Sequence, residues 1–297
     1  FERRQAAAAA GLQLTRQQIA QSIRELYQHI GFIQSESALY RRLDSLYQSV
    51  AAIAQLRYAA GEVSKAEQLA LEDKAAQMRL ALQTTGHEIE FDRVVLGQLL
   101  GLPGQVFPIS EPFQRMSFSL ADTALVENSA RSSLHRSAVG ISESEQALVA
   151  AQRAPAFSGG LMVQYLPNGR ILPGWQLGVQ IPLIKKGLRS EQAAAAIAAQ
   201  SSSATYRADL LEQRSQMAHL LHEQEKYEIR LAYYDAKGKA LAEELLRMAL
   251  LNYRAGEIGF VEFTQTAEQA SAIELDYLEN LLGLNMTIIE LRALTGQ

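Results

Sequence analysis

Two histidines three residues apart come nearest to a metal-binding pattern in this sequence. His219 and His222 would lie on one face of a helix, and Glu223 follows them directly. Imidazole and carboxylate groups at that spacing can hold a divalent cation. A third and a fourth ligand are not apparent, and exposed histidines on long helices are common. We therefore expect an ordinary helix face here, with no bound metal and no cofactor.

The common signatures of catalysis are missing from the sequence. Its 297 residues contain no cysteine, which excludes thiol nucleophiles and cysteine-ligated metals. There is no G-x-S-x-G elbow, no phosphate-binding G-x-x-x-x-G-K loop and no H-E-x-x-H zinc motif. The net charge of -4 supplies no basic stripe for a nucleic acid. These observations argue against an enzyme and against a nucleic-acid partner.

Prolines divide the chain into two helical flanks and a middle region. All 7 prolines lie within residues 103–112 and 155–182, and proline is excluded from helix interiors. If residues 188–252 formed one helix, it would be roughly 100 Å long. A heptad seam with one exception, Glu274, follows: Phe263, Ala267, Ala270, Tyr277, Leu281, Leu284, Ile288 and Leu291. A similar seam, which Thr85 and Asp92 interrupt, consists of Leu71, Ala75, Met78, Leu82, Ile89, Leu96 and Leu99. Such spacing predicts coiled-coil hairpins.

The two flanks are copies of each other. Residues 56–69 match residues 251–264 at an offset of 195 positions, which also carries Gly101 onto Gly296. Upstream, the alanine-rich stretches that begin at Gln5 and Gln192 match at an offset of 187, so the second copy holds about eight extra residues. Both copies contain an Ala-Gly-Glu signal, in which glycine suits a helix reversal. The simplest account is a duplicated helical hairpin.

Between the copies, the hydrophobic period changes from helical to alternating. Apolar residues alternate with glutamine and glycine on both sides of an Asn-Gly turn in residues 167–170, which predicts a β-hairpin. One face carries Tyr165 and Trp175, and the other is polar. A globular sheet and a membrane barrel both produce this pattern. Because two strands are not stable alone, the hairpin must complete a larger sheet.

Several motifs resemble the TolC family of outer-membrane factors. The stretch GWQLGVQIPLI, followed by KKG and a long alanine-rich helix, is similar to the second repeat of that family. The later NYRAGEIGFVEF and the closing ELRALTG are also similar, most closely to the CusC/CzcC branch that serves heavy-metal resistance-nodulation-division pumps. The resemblance covers essentially the whole chain. It implies a mainly α tandem repeat of very long antiparallel coiled-coil helices, with a single β-hairpin from a transmembrane barrel.

The resemblance also divides the chain into segments. It implies that residues 1–102 are the latter half of the first repeat, 103–117 a linker, 118–154 a long helix that opens the second repeat, 155–185 the β-hairpin, and 186–297 the second helical hairpin. The family's first long helix and first strand hairpin have no counterpart after Phe1. We therefore expect a chain truncated at its N-terminus that supplies two of a protomer's four strands, cut at a domain edge or taken from a fusion with a pump.

The function implied by the family is a passive trimeric exit duct of a tripartite efflux pump. Such a duct exports metal ions or small toxic solutes from the periplasm to the exterior of a Gram-negative bacterium. Its expected partners are two further copies of the full-length chain, a periplasmic adaptor, an inner-membrane pump of the resistance-nodulation-division class, and outer-membrane lipid. Two alternatives remain, a periplasmic adaptor and a coiled-coil scaffold without channel activity. An adaptor would need more short strands than this chain has. A coiled-coil scaffold would not require a β-sheet with a polar, water-facing side.

The resemblance finally implies roles for individual residues. It places the two Ala-Gly-Glu turns at periplasmic tips that dock the adaptor, with Tyr58, Gly61, Glu62, Tyr253, Gly256 and Glu257 as the residues concerned. Glu262 occupies the position of a pore-constricting acidic ring, and Glu62 and Glu67 are the first-repeat candidates. The hairpin pattern itself favours Tyr165 and Trp175 as a membrane-interface girdle. The plainer interpretations are capped turns, a solvated helix face and packing within a sheet.

Overall fold

The computed structural model describes residues 2–104, 106, 113–119, 123–167, 169–181 and 185–296. Its helices are α1 Glu2–Ala59, α2 Lys65–Leu99, α3 Ala130–Ala151, α4 Lys185–Tyr233, α5 Lys239–Ala255 and α6 Phe260–Thr295. Its strands are β1 Ala156–Tyr165 and β2 Ile171–Gln180. The predicted fold class, long helices with one β-hairpin, is confirmed. Within the described residues, no helix combines the length and the apolar character needed to cross a membrane.

The elements form two compact units. The strand unit comprises residues 1–15 and 124–214 with Gly296, and it contains α3, the β-hairpin and the first half of α4. The bundle unit comprises residues 16–123 and 215–295, and it contains most of α1, α2, the end of α4, α5 and α6. The bundle unit is thus built from two stretches of chain that the strand unit separates in sequence.

The predicted heptad seams lie mostly in the core of the bundle unit, but Leu99, the last residue of the α2 seam, is 39% exposed. In α6, Phe263, Leu284 and Leu291 are fully buried, and the exception, Glu274, forms an ion pair with Arg42 of α1. In α2 the polar interruptions are also buried, but each has a partner. Thr85 donates its hydroxyl to the Leu82 carbonyl at 3.1 Å, and Oδ2 of Asp92 lies 2.8 Å from Nδ1 of His29. The seams tolerate these polar residues because their hydrogen-bonding groups are satisfied.

The helix predicted to begin at Phe118 begins instead at Ala130. Ser129 caps it, because its hydroxyl accepts a hydrogen bond from the Ser132 N–H at 3.1 Å. Residues 113–119 are not helical. Their apolar side chains instead pack against a buried cluster in the bundle unit, which contains Leu231, Leu281, Leu284 and Ile288. Part of the predicted linker, residues 105 and 107–112, lies outside the described residues, as do Asn168 and Pro182.

A single side chain of α6 holds this non-helical segment in place. Asn285 is fully buried, and its amide oxygen accepts a hydrogen bond from the Met116 N–H at 2.9 Å. Its amide nitrogen donates to the Gln114 carbonyl at 2.9 Å and to the Gln28 side chain at 2.8 Å. Residues 113–119 therefore form a strap, fixed to the helices by a fully satisfied buried amide.

A π-helical turn, Tyr234–Gly238, joins α4 to α5, whereas α1 is regular α-helix throughout. The second repeat holds about eight extra residues in this region. Seven of them make two turns of a coiled-coil helix and leave one residue over. A π-turn is hydrogen bonded to the fifth residue in place of the fourth, so it holds one residue more than an α-turn. We interpret the π-turn as the site that absorbs the odd residue.

Deleting Ala236 from the π-turn should therefore be tolerated. The deletion converts the turn to regular α-helix and leaves the buried faces of α4 and α5 in register, so we expect Tm to stay within about 4 °C of the parent value. Deleting Ala52 from α1 rotates the rest of that helix by about 100° and should lower Tm by more than about 8 °C. Calorimetry measures both. If the two deletions lowered Tm by the same amount, the π-turn would not be the site that absorbs the odd residue.

The β-hairpin of the strand unit has the predicted alternation. Its antiparallel register places Leu161 opposite Trp175 and Tyr165 opposite Ile171 on the apolar face, while the other face carries mainly Gln and Gly. Gly169 closes the turn with φ of 79°, a conformation that glycine adopts readily. Large apolar side chains along both strands are exposed to solvent in the described chain. The hairpin thus lacks a covering layer of its own.

A buried polar network fixes α3 on α4 in the strand unit. Gln213 is fully buried; it donates to Oδ2 of Asp209 at 2.6 Å and accepts from the Ser129 hydroxyl at 3.1 Å. A guanidinium nitrogen of Arg131 lies 2.5 Å from the other oxygen of Asp209. Because a buried carboxylate is costly without such partners, this network specifies how the two helices pack.

Candidate functional site

The two Ala-Gly-Glu turns have the same backbone geometry. Gly61 has φ of 77° and Gly256 has φ of 76°. In the first turn, the N–H groups of Gly61 and Glu62 donate to the carbonyls of Tyr58 and Arg57 at 2.9 and 2.8 Å. In the second turn, Gly256 and Glu257 donate to Tyr253 and Asn252 at 3.1 and 2.9 Å. This paired pattern is a Schellman motif, and it requires a left-handed residue at the glycine.

The tyrosines that precede the two glycines differ in their surroundings. Tyr253 is fully buried, whereas 42% of Tyr58 is exposed. The Tyr253 ring packs against Phe263 with centroids 5.2 Å apart, and its hydroxyl donates to Glu67 at 3.1 Å. The Tyr58 ring lies 5.0 Å from the ammonium group of Lys65. Tyr253 therefore positions the second turn from within the core, and of the two tyrosines only Tyr58 is exposed at the surface.

The carboxylates near the turns also divide into two kinds. Glu62, Glu257 and Glu262 are exposed, and Glu67 is half-buried beside Tyr253. Glu62 forms an ion pair with Arg57 at 3.2 Å. Among the described residues, no cation contacts the Glu262 carboxylate. Glu67 and Glu262 are equivalent in the repeat, but only Glu262 has a side chain that is free to face solvent or a partner.

An aromatic cluster beneath the turns joins the two hairpins of the bundle unit. The rings of Tyr47 from α1 and Phe263 from α6 meet edge to face, with centroids 5.9 Å apart. A guanidinium nitrogen of Arg57 donates to the Tyr253 carbonyl at 3.4 Å, and the guanidinium lies 5.6 Å from the Tyr253 ring. Movement of one tip therefore requires repacking against the other.

Burial and the nearby Glu67 carboxylate raise the pKa of Tyr253 to about 12. An unfolded tyrosine has a pKa of about 10, so the fold favours the neutral phenol. That stabilisation is complete below pH 10 and is lost as the pH rises towards 12. We expect Tyr253→Phe to lower the free energy of unfolding at neutral pH by about 1 kcal/mol, and to make its decline between pH 10 and 12 shallower.

Urea denaturation at several pH values measures this effect. Tyr47 provides a comparison, since burial raises its pKa to about 12 as well, and Tyr47→Phe should change the alkaline decline in the same direction. If the free energy of unfolding of Tyr253→Phe falls between pH 10 and 12 as steeply as that of the parent chain, the Tyr253 phenol does not titrate in that range.

The two histidines of the possible metal site receive no further ligand from the fold. His219 and His222 are both exposed. Glu223 bonds to the Lys226 ammonium group at 2.9 and 3.0 Å, which lowers the pKa of that carboxyl. In the part of the chain that the structure describes, no group of three His, Cys, Asp or Glu side chains is placed to hold a metal ion.

The two aromatic residues proposed for a membrane girdle lie on the apolar face of the hairpin, and both are exposed. Tyr165 is the last residue of β1, next to the turn, whereas Trp175 lies in the middle of β2 opposite Leu161. A girdle residue should lie near a strand end. Of these two residues, only Tyr165 has that position.

Comparison with known proteins identifies the fold. Neither a family model nor a curated protein matches the sequence. Among solved structures, the chain resembles the outer-membrane channel OprN, with a TM-score of 0.87 and 16% identity over 98% of this chain and 68% of that one. It also resembles the outer membrane protein VceC from Vibrio cholerae, with a TM-score of 0.85 and 17% identity over 97% of this chain and 72% of that one. For CusC, the TM-score is 0.83 and the identity 13%, over 97% of this chain and 70% of that one. The chain therefore has the fold of the TolC-type outer-membrane channels.

Proposed function

We propose that this chain is part of the exit duct of a tripartite efflux pump, located in the outer membrane of a Gram-negative bacterium. The observation that carries the proposal is a two-faced β-hairpin, exposed on its apolar face, in a chain whose solved structural neighbours include outer-membrane channels. Phe157, Leu161 and Leu177 are between 75% and 93% exposed. So large an apolar surface needs lipid or protein to cover it.

In the proposed duct, the hairpin contributes two strands to a shared transmembrane barrel. The apolar face contacts lipid and the Gln/Gly face lines a water-filled lumen, the arrangement that alternation produces in barrels. Tyr165, at the turn end of β1, suits a membrane interface. Trp175, in the middle of its strand, lies deeper in the lipid layer, so we retain the girdle proposal for Tyr165 alone.

The two helical turns form the proposed periplasmic tips of the duct. Their exposed residues, Tyr58, Glu62 and Glu257, supply a surface for a periplasmic adaptor. The exposed Glu262 carboxylate would occur three times around the axis of a trimer and would attract cations to a constriction. Energy comes from an inner-membrane pump, and the duct itself performs no catalysis.

We propose small toxic solutes, metal ions among them, as the exported substrates. The similarity to CusC, at 13% identity, is no greater than the similarity to OprN at 16%. The relationship therefore does not favour a heavy-metal branch over others. Export assays with a panel of metal ions and organic solutes, in cells that lack their own duct, identify the class.

Conductance of the purified full-length chain in a planar lipid bilayer tests the duct proposal. Ohmic channels are the expected result. A matched pair of substitutions probes the hairpin faces: Leu161→Arg places a charge in lipid at a cost of about 2–4 kcal/mol, whereas Gln176→Arg places it in the lumen. We expect the first to abolish insertion and the second to preserve it. A folded parent chain that never conducts would overturn the duct and favour an adaptor or scaffold.

A further inference from the structure

In the proposed barrel, the length of the β-hairpin determines which residues lie at the edges of the membrane. Each strand has 10 residues, the length at which a tilted strand crosses the hydrocarbon layer of a bilayer. The turn at Gly169 therefore lies at one edge of that layer. The residues next to the open end of the hairpin, 153–155 and 185–192, form the hairpin base and lie at the other edge, at the level of the lipid headgroups.

Two arginines lie near each other in the hairpin base. Arg153, in the link between α3 and β1, donates a hydrogen bond from its guanidinium group to the Gln192 side chain of α4 at 2.8 Å. Arg189 precedes Gln192 by three residues, so the two side chains are neighbours on the surface of α4. Both arginines are exposed. Gln192 thus connects two positive charges that face solvent at the same end of the hairpin.

The positive charge of the hairpin base is not neutralised within the part of the chain that the structure describes. There, no carboxylate pairs with the guanidinium group of Arg153 or Arg189. Other arginines of the strand unit do form ion pairs: Arg3 with Glu143, Arg131 with Asp209, and Arg214 with Glu127. The sequence adds Lys185 and Lys186 to the hairpin base, and only Glu191 opposes the positive charges there. The hairpin base therefore has an excess of positive charge.

We propose that the hairpin base binds the headgroup phosphate of an anionic phospholipid in the periplasmic leaflet of the outer membrane. A guanidinium group can donate two parallel hydrogen bonds to a phosphate. The proposal rests on the duct function, which places the helices that continue from this end of the hairpin in the periplasm. The hairpin base then meets the leaflet on that side.

The apolar face of the hairpin favours a lipid over a soluble anion. Phe157 and Val179 pair at the open end of the hairpin, and they are 80% and 58% exposed. The acyl chains of a lipid bound at the hairpin base would cover these side chains and remove them from water. A soluble phosphate compound would gain only the contacts with exposed guanidinium groups, which are weak in water.

Native mass spectrometry of the full-length chain, released from detergent micelles that contain phosphatidylglycerol, tests the proposal by counting bound lipids. The double substitution Arg153→Gln with Arg189→Gln removes both charges. Each arginine near an anionic lipid surface contributes about fivefold in affinity, so the double variant should bind phosphatidylglycerol about 30-fold more weakly. Phosphatidylcholine with the same acyl chains has no net charge, and it should bind the parent and the variant equally.

Arg207→Gln is the matched control on the same helix. Arg207 is exposed and donates to the Ser203 carbonyl at 3.4 Å, and it lies about 27 Å from Arg189 along α4. Its substitution should leave the affinity for phosphatidylglycerol unchanged. An equal loss in this control would assign the effect to the general charge of the chain and overturn the site at the hairpin base.

Three further results would contradict the lipid site. A parent chain that binds phosphatidylglycerol no more tightly than phosphatidylcholine has no such site. Displacement of the lipid by micromolar glycerol phosphate would show a site for soluble phosphate compounds. A double variant that retains its affinity for phosphatidylglycerol, but changes the reversal potential in a planar bilayer, would place both arginines in the lumen.

Conductance of the same samples separates this proposal from the duct itself. Selective binding of phosphatidylglycerol that requires both arginines, in a chain that does not conduct, supports the lipid site and rejects the duct. Conducting channels without lipid preference overturn the lipid site and leave the duct standing. Failure of both measurements overturns both.

Discussion

Replacing Glu262 by alanine is expected to reduce the cation preference of the full-length channel strongly. At about 8 Å, one carboxylate attracts a monovalent cation by about 0.5 kcal/mol in water. Three copies together contribute about 1.5 kcal/mol, which concentrates cations about tenfold before salt screening. We expect the reversal potential in a salt gradient to move towards the value for a non-selective pore. Planar-bilayer recordings at low and high ionic strength measure the shift.

Glu257→Ala is the matched control for this prediction. Glu257 is also exposed, but it lies in the turn and not on α6. Its removal should leave the reversal potential close to the parent value. The difference between the two variants should shrink at high salt, because the Debye length falls to about 3 Å at 1 M. Equal shifts in both variants would assign selectivity to the general charge of the tip and not to a ring at Glu262.

Phe263→Ala should produce the largest loss of stability in the bundle unit. Phe263 is fully buried and contacts the rings of both Tyr47 and Tyr253. Truncation of a buried phenylalanine removes apolar contacts and leaves a cavity, at a typical cost of about 3–5 kcal/mol. We expect the free energy of unfolding to fall by that amount. Urea denaturation followed by far-ultraviolet circular dichroism measures it.

Val261 provides the control two residues away on the same helix. It is 62% exposed, and Val261→Ala should change stability by less than about 0.5 kcal/mol. A double-mutant cycle of Phe263→Ala with Tyr47→Ala should show a coupling energy above about 0.5 kcal/mol, because the two rings touch. If the two substitutions lowered the free energy of unfolding additively, the rings of Phe263 and Tyr47 would pack independently. The two turns would then not be coupled through these rings.

The features predicted correctly from the sequence are those with local causes. The heptad seam of α6 is buried because spacing alone decides which side chains share a helix face. The glycines at 61 and 256 mark both reversals because only the left-handed conformation closes the Schellman motif. The strand hairpin follows from period-two alternation around a turn. None of these predictions requires knowledge of a distant contact.

The features that the sequence did not reveal depend on contacts between distant segments. Phe118 is compatible with a helix, but the segment around it is held in a strap by Asn285, more than 160 residues away. Tyr58 and Tyr253 lie in matching local sequences, so sequence reasoning gave them the same role. Only the packing of α6 and α2 around Tyr253 distinguishes them.

The candidate site shows the same division. Glu262 could be singled out through a family resemblance, and its exposure agrees with a surface role. The attachment of Glu67 to a buried tyrosine could not be predicted, since nothing in a single sequence indicates which repeat side faces inward.

The order in which the bundle unit appears along the chain has a consequence for folding. Asn285 contacts Gln28, 257 residues earlier, and Tyr47 contacts Phe263, so the bundle closes only after nearly all of the chain has been synthesised. Contacts between such distant segments slow folding. The apolar hairpin is made before that closure, since it precedes α5 and α6. Its apolar side chains remain exposed in the folded chain, so the hairpin is an aggregation hazard until a partner or lipid covers it, and we expect the chain to need a chaperone that binds exposed strands.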